Sequence, residues 1–435
     1  MANYTDKSKI ISADGEAKKY FDLQMSLKGS SRFANILLTF LTMGFVFVFA
    51  ALFWILPDRD FSPEENRSLA KAPEMTVENL FSGNLTEEFS DYMADQFPAR
   101  GFFVGVKAVG ELAQGKQENN DVFVAKDNYL IARVDYPDEK NLQKNISAAG
   151  RFIAAAEENG INCTAAFAGR KADVCYDKLP AVYNGKYYSD RIWGILDDMC
   201  KASGFDFVNL RDVLRTHEAD GEEIYYRTDH HWNSYGAYIA YNAIGDSVGY
   251  KPLPLSDFEK EKVTDSFLGT TWSASGIKWQ KGEEIDFYRW EGDGDFTMRV
   301  LDPSGQLSDC EGQRTVEEDG DVYSVFDSYY IRDFLDKKDK YASFIGGNFG
   351  YTEIYKNTDG QRETLLILKD SFANSMVQFL ARDYDLIMID LRYYKANITR
   401  LCEEKDIKNV LLLYNMETLT ESSDLVILNT GLMNK

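Results

Sequence analysis

A short polar segment at residues 227–234, RTDHHWNS, contains two of the three histidines in the 435-residue sequence. Asp229 and His231 are two positions apart, so in an extended segment their side chains share one face while His230 points away. A carboxylate bound to one imidazole nitrogen fixes the tautomer and leaves the other nitrogen free to accept a proton. This spacing predicts that His231 is a general base oriented by Asp229.

A serine that could use this base lies in the segment LLILKDSFANS, residues 365–375. The apolar run at its start predicts a buried strand, and Ser371 opens a predicted helix directly after it. A hydroxyl in this position lies at the carboxyl edge of a parallel sheet, where open α/β folds bind ligands. The helix N-terminus offers N–H groups to a developing oxyanion. Because serine is a weak nucleophile without a base, Ser371 is predicted to depend on His231.

Two other interpretations of residues 229–231 are open. The three side chains could bind a metal ion together with a carboxylate from elsewhere, although the sequence has no His-x-x-x-His spacing. They could also satisfy backbone groups at a helix entry, because Asn233 or Ser234 can cap the helical run 233–248. The third histidine, His217, lies in a polar, loop-like stretch and is predicted to be a solvated surface residue.

The flanking elements alternate between strands and helices, which predicts a parallel sheet with helices on its faces. Before the histidine pair, the predicted elements are a helix at 141–159 closed by Gly160, a strand at 162–168, a helix at 188–202 and a strand at 206–210. After residue 341, they are strands at 364–368, 385–390 and 409–413 and helices at 371–381 and 395–404. Residues 250–340 are rich in Gly, Asp and Trp, and predict an insertion of strands and long loops over one edge.

Residues 36–56 carry no charge over 21 positions, which is enough for a helix to cross a hydrocarbon core of about 30 Å. A cleaved signal peptide is the alternative, but no convincing small-x-small site follows the run. The first 33 residues carry six Lys and Arg against four Asp and Glu, while acidic residues follow the run. The positive-inside rule therefore predicts a cytoplasmic N-terminus and a single-pass cell-membrane protein with most of its chain outside.

The predicted organisation has four parts: a cytoplasmic tail at 1–33, a transmembrane anchor at 34–57, a membrane-proximal segment at 58–120 and an extracytoplasmic α/β domain at 121–435. The insertion at about 250–340 belongs to the last part. A formal net charge of −22 argues against nucleic-acid binding, which depends on Lys and Arg contacts to phosphate. The five cysteines contain no CxxC pair, although a Cys163–Cys175 bridge is compatible with the sequence.

Several motifs together resemble a known family. TDHHW resembles the signature of bacterial DHHW proteins, and Asp229-x-His231-Trp232 is similar to the Asp-x-His-Trp motif of the alginate O-acetyltransferase group. Both groups are similar to SGNH (GDSL-like) hydrolases with a permuted motif order. The other motifs that carry the resemblance, which covers roughly residues 57–415, are ENR at 65–67, DQFPAR at 95–100, GGN at 346–348 and KDSF at 369–372.

The resemblance implies an SGNH-like doubly wound parallel sheet with helices on both faces. It implies that Ser371 is the nucleophile, His231 the base and Asp229 the orienting acid. In the wider superfamily the nucleophile block is Gly-Asp-Ser, and here Lys369 stands in place of the glycine before Asp370. This departure bears on how closely the loop copies the usual oxyanion geometry.

The resemblance also implies an oxyanion site made by a glycine and an asparagine. Asn348, with Gly346 or Gly347, is the local candidate, and the alternative is a plain turn. His230 is expected to be a packing residue beside the site, and Trp232 to wall the site or support the next helix. Together with Asp370, these are the candidate oxyanion or substrate contacts.

The implied activity is transfer of an acetyl group through an acetyl-serine to a hydroxyl of a cell-surface polysaccharide, with no metal or other cofactor. The implied partner is a membrane-bound O-acyltransferase that supplies acetyl groups. A carbohydrate acetylesterase with the same triad differs only in using water as acceptor. A non-catalytic glycan-binding or assembly factor of a polysaccharide acetylation system is the alternative of another class.

Overall fold

The computed structural model describes residues 32–65, 67–76, 81, 84–134, 139–358, 360 and 362–431. Most of the predicted tail at 1–33, and Asn66 of the ENR motif, therefore lie outside the described residues. The chain divides into two compact units. One comprises residues up to Ser62 together with Arg67–Phe103, and the other comprises Pro63–Asn66 and Val104 onward.

The first unit is built on helix α1, Arg32–Ile55, which is long and apolar enough to cross a membrane. This helix covers the apolar run identified in the sequence. A short antiparallel pair follows, with strands β1 (Phe61–Ser62) and β2 (Arg67–Ser68). Helix α2 spans Asn84–Asp95, and helix α3, Arg100–Ala113, begins in this unit after the turn at Pro98.

The second unit is organised around one mixed sheet of nine strands. In chain order its strands are β6 (Asn162–Ala168), β7 (Val208–Asn209), β10 (Phe296–Leu301), β11 (Arg314–Glu318), β12 (Asp321–Phe326), β13 (Tyr351–Lys356), β14 (Thr364–Lys369), β15 (Asp385–Ile389) and β16 (Asn409–Asn415). In space the order is β11-β12-β10-β13-β15-β14-β16-β6-β7. The five strands from β15 to β7 are parallel, and the four on the other side are antiparallel.

Both faces of the parallel strands are buried, as their unbroken apolar sequences predict. Along β14, Leu365 and Ile367 belong to one core cluster and Leu366 and Leu368 to the other. The covering and connecting helices are α4 (Glu139–Glu158), α5 (Lys171–Val174), α6 (Gly185–Ala202), α7 (Leu210–Ala219), α8 (Ser234–Val248), α9 (Thr270–Ser275), α10 (Val377–Leu380), α11 (Ile398–Glu404) and α12 (Met416–Glu421). The predicted α/β fold built on a parallel sheet is confirmed for strands β15 to β7, and antiparallel strands extend that sheet on one side.

Residues 250–340, which were predicted to be an insertion over one edge of the sheet, also contribute strands to the sheet itself. Its strands β10, β11 and β12 extend the main sheet in antiparallel register beyond β13. A separate antiparallel hairpin consists of β8 (Glu259–Phe267) and β9 (Glu283–Arg289). A further three-stranded sheet, formed by β3 (Glu118–Asn119), β4 (Val122–Val124) and β5 (Leu130–Ala132), precedes α4.

Some local predictions differ from the structure. The helix expected at 371–381 starts as a 3-10 helix, Ser371–Met376, before α10 continues it. His217 lies in the last turn of α7 rather than in a loop, and its Nδ1 is 2.7 Å from Glu222 Oε2. Cys163 and Cys175 are free thiols, so the considered bridge is absent between these two described residues.

Candidate active site

Ser371 lies at the carboxyl edge of the parallel sheet, directly after β14. Asp370 fixes the position of Ser371, because its carboxylate accepts hydrogen bonds from the helical turn that follows and from the end of the neighbouring strand β16. Its Oδ1 accepts the Phe372 N–H (3.0 Å) as a helix cap, and its Oδ2 accepts the Asn415 N–H at the end of β16 (2.6 Å) and the Thr418 hydroxyl (2.9 Å). Asp370 is buried and both of its carboxylate oxygens are hydrogen-bonded, so it holds Ser371 at the end of β14.

The histidine segment is a tight turn, not an extended strand. An antiparallel bridge between Tyr225 and Trp232 closes it. The fully buried Trp232 then attaches the turn to the serine helix, since its Nε1–H donates to the Phe372 carbonyl (3.1 Å) and to Ser375 Oγ (3.0 Å). Asn233 caps α8 by accepting the Gly236 N–H (2.8 Å). The turn geometry, together with these anchors, aims His231 at Ser371.

The three predicted catalytic side chains form a continuous hydrogen-bonded chain. His231 Nδ1 lies 2.6 Å from Asp229 Oδ1, and His231 Nε2 lies 2.7 Å from Ser371 Oγ. Asp229 and His231 are 2% and 5% exposed, while Ser371 is only partly buried. A carboxylate, an imidazole and an accessible hydroxyl in this order can activate the hydroxyl as a nucleophile.

Asp229 is held on both carboxylate oxygens. Oδ1 also accepts the His231 N–H (3.0 Å), and Oδ2 accepts the backbone N–H (2.8 Å) and hydroxyl (2.9 Å) of Thr270 at the start of α9. Burial opposes ionisation of this carboxyl, but the imidazoles of His230 and His231 and these hydrogen bonds outweigh it and hold the pKa of Asp229 well below its usual range. Asp229 is therefore an ionised hydrogen-bond acceptor near neutral pH.

Two charged side chains, the buried Lys171 and the partly buried Glu283, hold the backbone of the turn. Lys171 Nζ donates to the carbonyls of Tyr226 (3.1 Å) and Asp229 (2.5 Å), and burial lowers the pKa of Lys171 to about 8. The Glu283 carboxylate accepts the backbone N–H groups of Arg227 and Thr228 (2.7 Å each). Burial raises the pKa of Glu283. These contacts use charge-assisted hydrogen bonds to fix a loop that regular secondary structure does not hold.

The imidazole plane of His231 is set by aromatic packing. The Tyr341 ring stacks on it, with centroids 4.0 Å apart and planes 10° apart, and the Phe372 ring lies 5.0 Å away. Tyr341 Oη donates to the Ser371 carbonyl (3.1 Å) and to Ser375 Oγ (3.2 Å). One side chain therefore contacts both the base and the backbone that carries the nucleophile.

The Gly346-Gly347-Asn348 segment is a turn that places an exposed amide near the serine helix. Gly346 and Gly347 have φ of 82° and 116°, values that favour glycine. Asn348 Oδ1 accepts from Lys369 Nζ (3.3 Å) and from Asn374 Nδ2 (3.2 Å). Asn348 Nδ2 donates to no group within the described part of the chain, so this amide N–H is available to a ligand.

Lys369 occupies the position where the wider superfamily has glycine, and it is almost completely buried. Its Nζ donates to Asn374 Oδ1 (2.7 Å) as well as to Asn348. Burial lowers the pKa of Lys369 to about 8, opposed by the negative charge of Asp390. The lysine thus orients the two asparagine amides beside the serine helix.

His230 is not placed as the base. Its Nδ1 lies 2.6 Å from Thr270 Oγ1, and its ring packs against that of His231 with centroids 3.8 Å apart. Asp229, His230 and His231 each offer one possible ligand atom, and these three atoms lie within 4.8 Å of one another. This arrangement is what the metal interpretation of residues 229–231 requires. However, both ring nitrogens of His231 already face Asp229 and Ser371, which does not favour coordination by this residue.

Two cavities meet at the site. One of about 240 Å³ is lined by Ser371, Phe372, Arg392 and Glu417, among others. A second of about 480 Å³ shares His230, Phe372 and Glu417 with the first. A nucleophile that opens into connected concave space can reach a bound substrate.

The sequence predicts that Asp229, His231 and Ser371 meet, and the structure brings them into contact. Sequence reasoning missed the residues that hold them in place, which are Thr270, Lys171, Glu283 and Tyr341. They come from four separate elements of the chain, and none carries a motif. Only their places in the sequence could have pointed to two of them. Tyr341 starts the segment where the α/β pattern resumes, and Lys171 follows strand β6 at the carboxyl edge of the sheet.

Comparisons with known proteins agree with the family resemblance. The sequence model of the DHHW protein family matches residues 184–389, which confirms the resemblance in the part of the chain that contains Asp229, His231 and Ser371. No curated protein sequence matches the chain. A solved DHHW family protein from Eubacterium siraeum is 20% identical with a TM-score of 0.55, covering 72% of this chain and 96% of that one.

Two further solved structures are similar. PatB1 of Bacillus cereus, solved with a sulfonyl adduct, is 19% identical with a TM-score of 0.56, covering 70% of this chain and 98% of that one. The O-acetyltransferase domain of Pseudomonas putida AlgJ is 13% identical with a TM-score of 0.42, covering 72% of this chain and 99% of that one. At these identities the E. siraeum and B. cereus structures show a common fold.

Proposed function

We propose that this DHHW-type protein is a membrane-anchored O-acetyltransferase that forms an acetyl-serine at Ser371 and passes the acetyl group to a hydroxyl of a cell-surface polysaccharide. The observation that carries the proposal is the hydrogen-bonded order Asp229–His231–Ser371, with Ser371 opening into a cavity. The same order of groups performs acyl transfer on several unrelated folds.

In the first half-reaction, Ser371 Oγ attacks the carbonyl carbon of an acetyl donor while His231 Nε2 accepts the hydroxyl proton. The tetrahedral intermediate collapses, the bond from the acetyl carbon to the donor breaks, and the imidazolium returns its proton to the leaving group. Asp229 holds the Nδ1–H and stabilises the transient positive charge on the imidazole. The product of this step is acetyl-Ser371.

In the second half-reaction, His231 removes the proton from a sugar hydroxyl that occupies the cavity. The sugar oxygen attacks the acetyl carbon, the bond to Ser371 Oγ breaks, and the proton returns to the serine. Transfer succeeds over hydrolysis when the bound sugar excludes water from the acyl carbon. Hydrolysis would make the protein an acetylesterase with the same triad, so the two functions differ only in the acceptor.

We assign the oxyanion contact to Asn348 Nδ2. Lys369 and Asn374 bind the Asn348 carbonyl oxygen, which turns its N–H groups away from them. A preorganised donor of this kind contributes a factor of about 10²–10³ to the rate of acyl transfer. Gly347 provides the turn that presents Asn348.

We further propose that α1 anchors the protein as a single-pass segment with a cytoplasmic N-terminus, and that a membrane-bound O-acyltransferase supplies the acetyl group. The support is the length and apolar composition of Arg32–Ile55 and the excess of basic residues before it. An anchor keeps the enzyme at the surface where a membrane donor and a growing polysaccharide meet.

The test is to incubate the full chain, reconstituted in detergent, with an aryl acetate and with an arylsulfonyl fluoride, a reagent that modifies activated serine hydroxyls. We expect acetyl and sulfonyl groups on Ser371 by mass spectrometry, and faster ester turnover when oligosaccharide acceptors are added. The Ser371→Ala variant should lose both labels, while Ser256→Ala, at an exposed serine, should behave as wild type. No label on Ser371 would leave a non-catalytic glycan-binding role, and label without transfer to sugars would leave an esterase.

A further inference from the structure

The C-terminal half of α1 is covered on one face by the segment that contains α2 and the start of α3. The Phe49 ring stacks on Phe97 with centroids 5.4 Å apart and planes 2° apart. Phe103 lies 5.4 Å from Phe49 and 6.0 Å from Phe45. One turn higher, Phe53 packs against Tyr92 of α2 at 5.6 Å.

These contacts show how far along the axis of α1 the packed segment reaches. At 1.5 Å per residue, Phe45 lies about 15 Å along the axis from Ile55, which is about half the thickness of a hydrocarbon core. If residues 45–55 stood above the bilayer, the remaining apolar part of α1, residues 36–44, would be only about 14 Å long, too short to cross about 30 Å. The side chains packed on Phe45 and Phe49 must then lie at the depth of the bilayer.

The outer surface of the same segment is apolar. Phe89 and Met93 lie one turn apart on α2 and are 40% and 44% exposed, and Phe102 at the start of α3 is 67% exposed. Along α1, Val48 on the uncovered side is 55% exposed, as lipid contact requires. Large exposed side chains are expected singly on a soluble surface, but here they continue the apolar surface of a helix long enough to span a membrane.

The polar groups of Asp95 and Gln96, at the turn between α2 and α3, are satisfied internally, which a location in lipid requires. The acidic residues Glu87, Glu88 and Asp91 of α2 are exposed, so this part of the helix must face the polar headgroups. Asp95 accepts from Arg67 NH1 (2.8 Å) and NH2 (2.5 Å) and from the Ala70 N–H (2.9 Å). Gln96 Nε2 donates to the carbonyls of Arg59 and Ala70 (3.0 Å each). The Asp95–Arg67 pair holds the pKa of Asp95 below its usual value through the hydrogen bond from Arg67, so the pair is retained as an ion pair.

We propose that residues 84–103 lie in the interfacial region of the leaflet at the C-terminal end of α1, with Phe89, Met93 and Phe102 in contact with lipid acyl chains and Glu87, Glu88 and Asp91 facing the headgroups. The segment is then a second, monotopic membrane contact beside the spanning helix. This inference rests on the proposed membrane anchor. It identifies the DQFPAR motif, residues 95–100, as the turn that lets the chain enter and leave one leaflet, with its charges paired inside the protein.

The test is a nitroxide label on single introduced cysteines in the full chain, reconstituted in phosphatidylcholine vesicles. Phe102→Cys and Met93→Cys report the proposed contact, Val48→Cys reports the spanning helix, and Val182→Cys, at an 89% exposed apolar residue outside this unit, is the aqueous control. The measurement is the collision rate of the label with oxygen, which concentrates in lipid, relative to a water-soluble nickel complex. The chain without introduced cysteines gives the background.

We expect the oxygen-to-nickel ratio at positions 102 and 93 to match that at position 48 and to exceed that at position 182 several-fold. A lipid-like ratio at position 48 with water-like ratios at 102 and 93 would overturn the interfacial placement of the segment and leave the anchor intact. A water-like ratio at position 48 would overturn the anchor and, with it, this inference.

Discussion

Gly269 packs against Asp229 so closely that a Cβ atom at position 269 would lie 2.6 Å from the Asp229 Cγ. Gly269 has an ordinary φ of −82°, so the constraint is space and not backbone conformation. We expect Gly269→Ala to push the carboxylate away from His231 and to lower kcat for ester cleavage by about 100-fold, the effect of a misplacement of about 1 Å. Ester turnover and circular dichroism together measure the effect on activity and on folding.

The matched control is Gly194→Ala, a glycine in α6 whose added Cβ would meet nothing within 4 Å. Because alanine is favoured over glycine inside a helix, this variant should keep full activity and gain about 0.5–1 kcal/mol of stability. Wild-type kcat in a folded Gly269→Ala variant would contradict the role of Asp229 as the orienting acid.

Asp229→Asn should lower kcat by about 10³–10⁴-fold with little change in fold. The asparagine Oδ1 can still accept from Thr270, but an NH₂ group facing His231 favours the tautomer that carries its proton on Nε2. That nitrogen then cannot accept the Ser371 proton. Sulfonylation of Ser371, followed by mass spectrometry, should slow in parallel with turnover. Loss of turnover with normal sulfonylation would place the defect in substrate binding instead.

Lys369→Met should remove an alkaline limb from the pH profile of kcat. With the pKa of Lys369 lowered to about 8, the wild-type lysine loses its charge as pH rises through 8, and its hold on Asn374 and Asn348 weakens. We expect wild-type kcat to fall above about pH 8, and Lys369→Met to show a lower kcat with KM nearly unchanged and without this limb. Lys171→Met is compared in parallel, because Lys171 also has a pKa of about 8 and holds the Asp229 carbonyl. A limb that disappears in Lys171→Met and persists in Lys369→Met would assign it to the histidine turn and contradict the role of Lys369.

Above about pH 8 the free energy of unfolding should change with pH in the direction opposite to kcat. Measuring both quantities therefore separates the effect of Lys369 on stability from its effect on activity. A lysine whose folded pKa is below its unfolded value binds fewer protons when folded, so wild-type stability rises as pH increases from about 8 to about 10.4. In Lys369→Met that rise should be smaller. Urea unfolding at several pH values measures it, and an unchanged alkaline rise would mean that Lys369 is not the group with the lowered pKa.

Chelation should leave the activity unchanged. His231 uses Nδ1 on Asp229 and Nε2 on Ser371, so the triad is complete without a metal ion. We expect equal kcat before and after dialysis against EDTA, and we expect added Zn²⁺ to inhibit by competing for His231. A loss of activity on chelation that Zn²⁺ restores would instead support the metal interpretation of residues 229–231.

The sequence contained enough to predict the parallel strands and the contact of Ser371, His231 and Asp229, because both follow from local patterns: a buried strand before Ser371 and a short Asp-x-His spacing. It could not predict Thr270 or Tyr341, since their roles depend on contacts with residues more than 40 and 100 positions away, respectively. The extended geometry assumed for Asp229 and His231 was wrong although their contact was right, because a turn closed by Tyr225 and Trp232 also brings the two together.

Charge at the rim of the site should select among substrates. Glu417 and Glu421 lie one turn apart on α12 and line the cavity that contains Ser371, and neither carboxylate has an ion-pair partner among the described residues. In contrast, Arg392 in the same cavity is neutralised by two contacts to Asp390 (2.9 and 2.6 Å). We therefore expect acetyl esters of anionic alcohols to show a higher KM than those of neutral or cationic ones.

The Glu417→Gln, Glu421→Gln double variant should reduce this discrimination by up to about fivefold at low ionic strength and less at high salt, because exposed charges interact weakly and are screened. The measurement is the KM ratio for a matched pair of anionic and neutral acetyl esters, with kcat as the internal control for an intact triad. Replacement of the exposed Glu284 by Gln, on β9, should leave the ratio unchanged. If the double variant retains the wild-type ratio, the rim carboxylates do not face the bound acceptor, and acceptor charge is selected elsewhere in the cavity.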